Sequence, residues 1–502
     1  MLHASYLRNF CDNLIYEDRS EVDGELPLEV DVLRFTRRLI GNSFVRIMLR
    51  RLVDEDPHGY RSRLDHVLSM LAGDALLQDR PIECMIEYRL FDSLIKLALR
   101  HMKISRTEFE AGIKDPSIRR GMELVFRSLI LYGVTVPQKL CSPFLIVWNF
   151  TNACNLRCKH CYQNASLPLP SELTLEEKLN VINQLDRAGI PLIALSGGEP
   201  TIHPDFLKIV EEGSRRGIYM AVATNGLRFS SMEFTEKALK AGLKYVEVSL
   251  DSVNPEIHDE IRGVKGAWET TINGVRNLVE MNASVGLAMT VTKLNYREVE
   301  DMVKLGEELG VKRVIFFNFI PTGRGKDIVK LDLTPAEREE LLKKVYELAR
   351  KSRVQVASTA PQLARVSWQM SSGGDCLPTH FTPPRSQSLR TLAEFIGGCG
   401  AGRIYAAIQP DGKVSPCVFL PIIVGDLRVE SFLEIWSSSP VLRKLRDKEF
   451  LKKPCGECMY RYVCGGCRAR AYGYFNDFLA ADPGCLRGEI VEKSVEHVVI
   501  QK

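Results

Sequence analysis

From residue 143 onward, six short apolar runs alternate with helix-length amphipathic stretches, and this rhythm constrains the fold more than any other feature of the chain. The runs are "PFLIVWNFT" (143–151), "LIALSGGEP" (192–200), "YMAVATNG" (219–226), "YVEVSLDS" (245–252), "SVGLAMTVT" (284–292) and "RVIFFNFI" (313–320). Several are apolar at successive positions, as strands buried on both faces are. Helical patterns lie between them, near 174–188, 204–216, 232–242, 267–281 and 295–309. After the sixth run, Thr334 suits an N-cap and Pro335 the first helical position. Repeated βα units with right-handed crossovers predict a parallel sheet. Six units are too few for a closed eight-unit barrel, so the expectation is an α/β fold built on an open, partial (β/α)6 barrel. Its ligands should gather at the C-terminal ends of the strands.

The rhythm divides the chain. Residues 1–142 read as mostly helical and 143–351 as the partial barrel. Residues 352–397 read as an irregular connection, 398–490 as a cysteine-dense region and 491–502 as a tail. With 502 residues and a formal net charge of +4, nothing in composition points to a nucleic-acid partner. No signal peptide and no run of 18 apolar residues is visible, which predicts a cytoplasmic protein. Fourteen cysteines in such a chain read as metal ligands before disulfides. Cys11, Cys84 and Cys141 stand apart and read as buried thiols.

The stretch "CNLRCKHCY" places Cys154, Cys158 and Cys161 directly after the first run. Three thiolates on one tight loop can hold three irons of a cubane cluster and leave the fourth iron open. Four-cysteine sites serve clusters that only carry electrons, and zinc sites favour paired C-x2-C elements.

The C-x3-C-x2-C spacing, followed by "GGEP" (Gly197, Gly198, Glu199, Pro200), "TNG" (Thr224, Asn225, Gly226) and "SLD" (Ser249 to Asp251), resembles the radical S-adenosylmethionine (SAM) enzymes. The resemblance implies a [4Fe–4S] cluster on the three cysteines and SAM chelating the open iron. An electron from the cluster then yields methionine and a 5′-deoxyadenosyl radical, which abstracts hydrogen from a substrate C–H bond. It implies further that GGEP receives the SAM amino group, with the glycines admitting the ligand and Glu199 accepting from the ammonium. Thr224 and Asn225, at the end of the third run, bind the cofactor, Ser249 and Asp251 meet the ribose, and His160 lies near the adenine. Arg324, in "PTGRG" after the sixth run, could be a carboxylate partner.

Farther on, "CGECMYRYVCGGCRARAY" gives C-x2-C-x5-C-x2-C, with Cys485 beyond it and Gly412 ahead of Cys417. This resembles the SPASM extension, which carries auxiliary [4Fe–4S] clusters. The resemblance implies one cluster on Cys455, Cys458, Cys464 and Cys485 and another on Cys399, Cys417 and Cys467. The fourth position of the latter is left open or filled by Cys376. A zinc ribbon is the other reading of the paired cysteines. "FNFIPTGRG" and "CGGCRARAY" resemble the subgroup of the haem-biosynthesis decarboxylase and the haem d1 maturase.

Residues 32–53 hold six Arg and no acid. Val32, Leu33, Phe35, Leu39 and Ile40 share one helical face, and after Gly41-Asn42 the apolar face moves to Phe44, Val45, Met48 and Leu52. Either a helical cap or an interfacial surface for anionic lipid fits this pattern. The Arg-rich region favours radical C–C bond formation on isoprenoid or alkyl lipid chains, with peripheral contact at the inner membrane face. The alternatives are a tetrapyrrole propionate decarboxylase, a peptide maturase forming thioether or C–C crosslinks, and a non-enzymatic iron–sulfur electron carrier. A ferredoxin or flavodoxin is the expected electron donor.

Overall fold

A computed structural model describes residues 43–54, 56, 61–74, 82–102, 105–379 and 389–487. The chain divides into two compact units, residues 1–142 with 189–191, and residues 143–188 with 192–502.

The first unit is helical where it is described: Ser43–Arg50, Arg63–Ala72, Ile82–Met102, Arg106–Ile113 and Pro116–Tyr132. Its helix starts are set by side chains that satisfy free N–H groups. Ser62 caps through Asp65 N, Ser105 and Glu108 form a capping box, and Asp115 accepts from Ser117 N ahead of Pro116. Leu64, Val67, Leu68, Phe91, Ile95, Leu99 and Ile130 form its core. The apolar side of 43–53 turns inward. Leu49 and Leu52 are buried and Val45 packs on the same core, while Ile47 and Arg51 are exposed. The face expected to meet lipid is thus partly consumed by the unit's own core. Residues 32–42 and Cys11 lie outside the described residues, as does the side chain of Cys84. Cys141 is half-buried rather than buried, with its Sγ 3.2 Å from Ser128 Oγ.

The second unit is built on one ten-stranded sheet in the order β10-β9-β8-β1-β2-β3-β4-β5-β6-β7. The strands are β1 Leu145–Thr151, β2 Leu192–Gly197, β3 Tyr219–Thr224, β4 Leu243–Ser249, β5 Ser284–Val291, β6 Arg313–Asn318, β7 Gln355–Ser358, β8 Tyr405–Ile408, β9 Lys413–Ser415 and β10 Gly425–Asp426. β1 to β6 pair in parallel as expected, with helices between them. Thr334 and Glu337 form a capping box ahead of Pro335. Two further parallel strands flank the six: β7 joins β6, and β8 lies against β1 with Trp148 opposite Ile408. Both have four residues, too short for periodicity to show.

The stretch read as an irregular connection therefore contains β7 and the helices Gln362–Met370 and Leu389–Ile396. A helix at Pro255–Arg262, not anticipated, is started by Asn254, whose side chain accepts from Glu256 N and Ile257 N. Strand alternation separates two faces. Ile193, Leu195, Val246, Val248, Leu287, Met289 and Val314 point outward under the helices and are fully buried. Ala223, Glu247, Ser249, Thr290 and Phe317 occupy the inner face and stay half-buried, while Ala288, Ile315 and Ala357 beside them are buried.

Candidate functional site

The three cysteines of 154–161 sit on the loop leaving β1. Neighbouring segments hold this loop: Cys154 N donates to Ser166 O (3.1 Å), Arg157 N to Arg262 O (3.0 Å) and Lys159 N to Ile261 O (2.9 Å). Leu156 and Cys158 pack on Ala267, with Cys154 and Cys161 against the same cluster. Each sulfur receives one donor, from Leu156 N at 3.4 Å, Arg262 Nη1 at 3.6 Å and Ala165 N at 3.4 Å respectively. Burial pushes the Cys154 thiol up to about 12, with Glu199 and the other thiols adding to the shift. It therefore carries its proton until metal displaces it. Among the described residues no three His, Cys, Asp or Glu side chains converge on a single metal ion. An iron–sulfur cube does not require that, since each thiolate meets a different iron.

The glycines of GGEP permit a close backbone contact. A Cβ on Gly198 would lie 2.1 Å from Ala153 O, and one on Gly197 would lie 2.8 Å from Thr151 O. They let the end of β2 press against the exit of β1, where Gly198 N donates to Thr151 O and Glu199 N to Ala153 O. Glu199 is buried and accepts from Thr201 N (3.1 Å), Thr201 Oγ1 (2.6 Å), Thr224 Oγ1 (2.8 Å) and Asn225 N (2.7 Å). Burial raises its pKa against those four donors. It latches the end of β2 to the end of β3, while its N-cap role starts the turn at Pro200. Asn225 continues the latch to the cysteine loop through Asn155 Oδ1 (2.7 Å).

Asp251 is also placed differently from its expected ribose contact. It is 0% exposed, accepts from Thr290 N (2.9 Å) and stands 2.7 Å from Arg262 Nε as an ion pair. Asp251 thus positions the guanidinium that reaches Cys158. Ser249, half-buried on the inner face, keeps an accessible position for a hydroxyl ligand. His160 lies 3.7 Å from Asp251 Oδ2, and burial lowers its pKa to about 4, leaving a neutral ring. Arg324 straps the cysteine loop, donating from Nε to Cys158 O (3.0 Å) and from Nη1 to Ala165 O (2.8 Å).

Between β1 and the cysteine-dense region lies a polar patch. Tyr162 Oη donates to Asn149 Oδ1 (3.0 Å) and lies 2.9 Å from Ser196 Oγ; Asn149 Nδ2 donates to Gln163 Oε1 (2.8 Å) and Gln409 Oε1 (3.1 Å). The Tyr162 ring meets Phe419 edge-on at 4.8 Å.

The C-terminal cysteines fall into two groups. Cys455, Cys458, Cys464 and Cys485 line one cavity with Gln362, Arg365 and Tyr460. Cys399, Cys417 and Cys467 lie within electrostatic reach of one another, and burial pushes Cys417 up to about 12. Cys376 is buried and donates to Ala364 O at 3.6 Å, on the helix Gln362–Met370. Buried cations surround these thiols. Arg403 is 2% exposed, donates to Cys399 O, and leaves Nε and Nη1 without a hydrogen-bond partner among the described residues. A guanidinium buried without an anion costs several kcal/mol. A thiolate-ligated cluster supplies the missing negative charge, so the residues present fit iron–sulfur clusters. Arg262, Arg403, Lys448 and Tyr162 were not foreseen. Tyr162, next to Cys161, and Arg403, four residues after Cys399, stand close in sequence to those thiols, whereas Arg262 is 104 residues from Cys158.

Residues 148–306 match the radical SAM superfamily and residues 399–459 the SPASM iron–sulfur cluster-binding domain. The AdoMet-dependent heme synthase of Methanosarcina barkeri is 35% identical over 69% of this chain and 97% of that protein. The pre-heme d1 synthase of Dinoroseobacter shibae is 29% identical over 68% of this chain and 85% of that protein. Among solved structures, Streptococcus suis SuiB bound to S-adenosylmethionine superposes with a TM-score of 0.58 at 16% identity, covering 85% of this chain and 93% of that one.

Proposed function

Because this chain belongs to the radical SAM superfamily and carries a SPASM domain, with [4Fe–4S] clusters and SAM as its cofactors, we propose that it decarboxylates propionate side chains of a tetrapyrrole. The observation that carries this reading is the 35% identity spanning 97% of a heme synthase. Ala223, Ser249 and Thr290 on the half-buried inner face are small, which suits a flat macrocycle there. The lipid reading rested on residues 32–53; the part of that face that is described packs inward, and the aligned relatives named above are tetrapyrrole enzymes.

Cys154, Cys158 and Cys161 would hold the SAM-binding cluster, which would supply the reducing electron, with bound SAM the source of the hydrogen-abstracting radical. The chain's own residues do the positioning. Arg262, fixed by Asp251, donates to Cys158. Arg324 holds the loop's carbonyls toward the sixth strand. Glu199 fixes the ends of β2 and β3, so backbone groups of 197–200 and 224–226 face the ligand in one geometry. Ser249 is the ribose partner that remains accessible.

The test is anaerobic turnover of the reconstituted chain with SAM, dithionite and an iron tetrapyrrole bearing propionates. The expected product has lost CO2 and two hydrogens per reacted side chain, with one 5′-deoxyadenosine for each. Deoxyadenosine that rises only with a peptide or with anionic lipid vesicles, while the tetrapyrrole keeps its mass, would replace this reading.

A further inference from the structure

We propose that Arg403 and Lys448 are buried counter-charges that raise the reduction potential of the cluster held by Cys399, Cys417 and Cys467 above that of the cluster held by Cys154, Cys158 and Cys161. The argument is one of charge balance between two sites in one chain.

At the SAM-binding loop the buried cation is matched. Arg262 pairs with Asp251 at 2.7 Å, and a second buried carboxylate, Glu199, acts on Cys154. An added electron there meets negative charge, which keeps that cluster a strong reductant. Such a reductant is what opening a sulfonium C–S bond demands.

At the auxiliary site the cations are not matched. Arg403 is 2% exposed, touches Cys399 O through Nη2, and has two N–H groups without partners among the described residues. Lys448 is 3% exposed, and its strongest charged neighbours are Arg403, Cys399, Arg468 and Cys464. Its ammonium lies against Gly465, where a Cβ would stand 2.8 Å from Nζ. Among the described residues neither forms an ion pair with a carboxylate. The nearby Asp482 accepts from Cys467 N (2.7 Å), but its charge is answered by Arg470, 3.4 Å away. Two positive side chains are thus held in a low-dielectric interior beside Cys399, whose backbone N–H donates to Cys464 O (3.2 Å) next to the Gly465 that Lys448 touches. Reduction of a cluster adds one negative charge, and buried cations favour that state. In turnover the electron would come from a substrate carbon radical, which loses one electron on becoming a closed-shell product while the cluster gains one.

The test is an EPR-monitored redox titration of the reconstituted full chain with neither SAM nor substrate. The signal absent from Cys417→Ala identifies the auxiliary cluster, and the signal absent from the Cys154/Cys158/Cys161→Ala variant identifies the SAM-binding one. The auxiliary signal should appear at the higher potential. Lys448→Met and Arg403→Leu should each move it to lower potential and leave the other signal in place, while Lys448→Arg should hold it near the native value. If Arg403→Leu fails to assemble, Lys448→Met decides alone. An unmoved auxiliary potential in Lys448→Met with iron content intact, or the reverse order of the two signals, overturns the proposal. Because no substrate is present, either result leaves the tetrapyrrole reading to its own test.

Discussion

Glu199 shows how much one buried carboxylate can organise. Its two oxygens take four donors from the ends of two strands. Glu199→Ala removes all of those acceptors at once, and a charge-assisted hydrogen bond contributes about 1.5–3 kcal/mol. SAM affinity, measured by equilibrium dialysis, should fall about 10- to 150-fold while the iron content stays native. Unchanged affinity would mean that the latch does not shape the ligand site. Gly198 makes the opposite point, since it matters for an atom it lacks. In Gly198→Ala the added carbon would lie 2.1 Å from a backbone oxygen that cannot turn away. Overpacking of this kind costs about 1–3 kcal/mol. The expected outcome is a lower melting temperature and loss of iron from the adjoining loop, read by thermal unfolding and iron analysis.

At the scale of elements, Asp332 joins three of them. It follows β6, pairs with Arg338 (2.6 Å) on the helix Pro335–Lys351, and pairs with Arg470 (2.5 Å) on the helix Arg468–Phe475, where Tyr474 Oη also donates to it (2.5 Å). Burial alone would raise its pKa, but Arg470 and Arg338 outweigh burial and hold it below the ordinary 3.8. A depressed carboxylate pKa contributes stability above the ordinary value, and that contribution is lost as pH falls through the folded value. Asp332→Asn should therefore destabilise the chain by about 3–5 kcal/mol at pH 7, as breaking a buried pair does. The gap between variant and native melting temperatures should narrow as the pH drops below 3.8. A constant gap across that range would rule the ionised pair out as the source. The elements themselves were readable in uneven measure. β1 to β6 announced themselves as apolar runs, and Thr334-Pro335 as a helix start, because these signals are local. β7 and β8 were hidden by their length. The latch roles of Glu199, Asp251 and Arg324 were hidden for a different reason: a motif gives residue type and order, but which group a side chain satisfies depends on neighbours brought in by the fold.

For the whole molecule, the three groups of cysteines predict about 12 irons per chain after anaerobic reconstitution, from three four-iron clusters. Replacing Cys154, Cys158 and Cys161 with Ala should remove about four of them and abolish deoxyadenosine formation. A total near four irons with two zincs would instead assign the C-terminal cysteines to a zinc ribbon. The place of β1 in the sheet has a consequence for how the protein is made. Its partners are β2 on one side and β8 on the other, and the bond from Asn149 to Gln409 spans 260 residues. A ribosome adds about 5–20 residues per second, so roughly 13 to 50 s pass between synthesis of the two. Throughout that interval one edge of β1 is bare, and the thiols at its tip are exposed to whatever oxidant or stray metal the nascent chain meets. Cluster delivery to Cys154, Cys158 and Cys161 is therefore best timed after β8 has been made, and a chaperone that shields this strand until then should raise the yield of active enzyme.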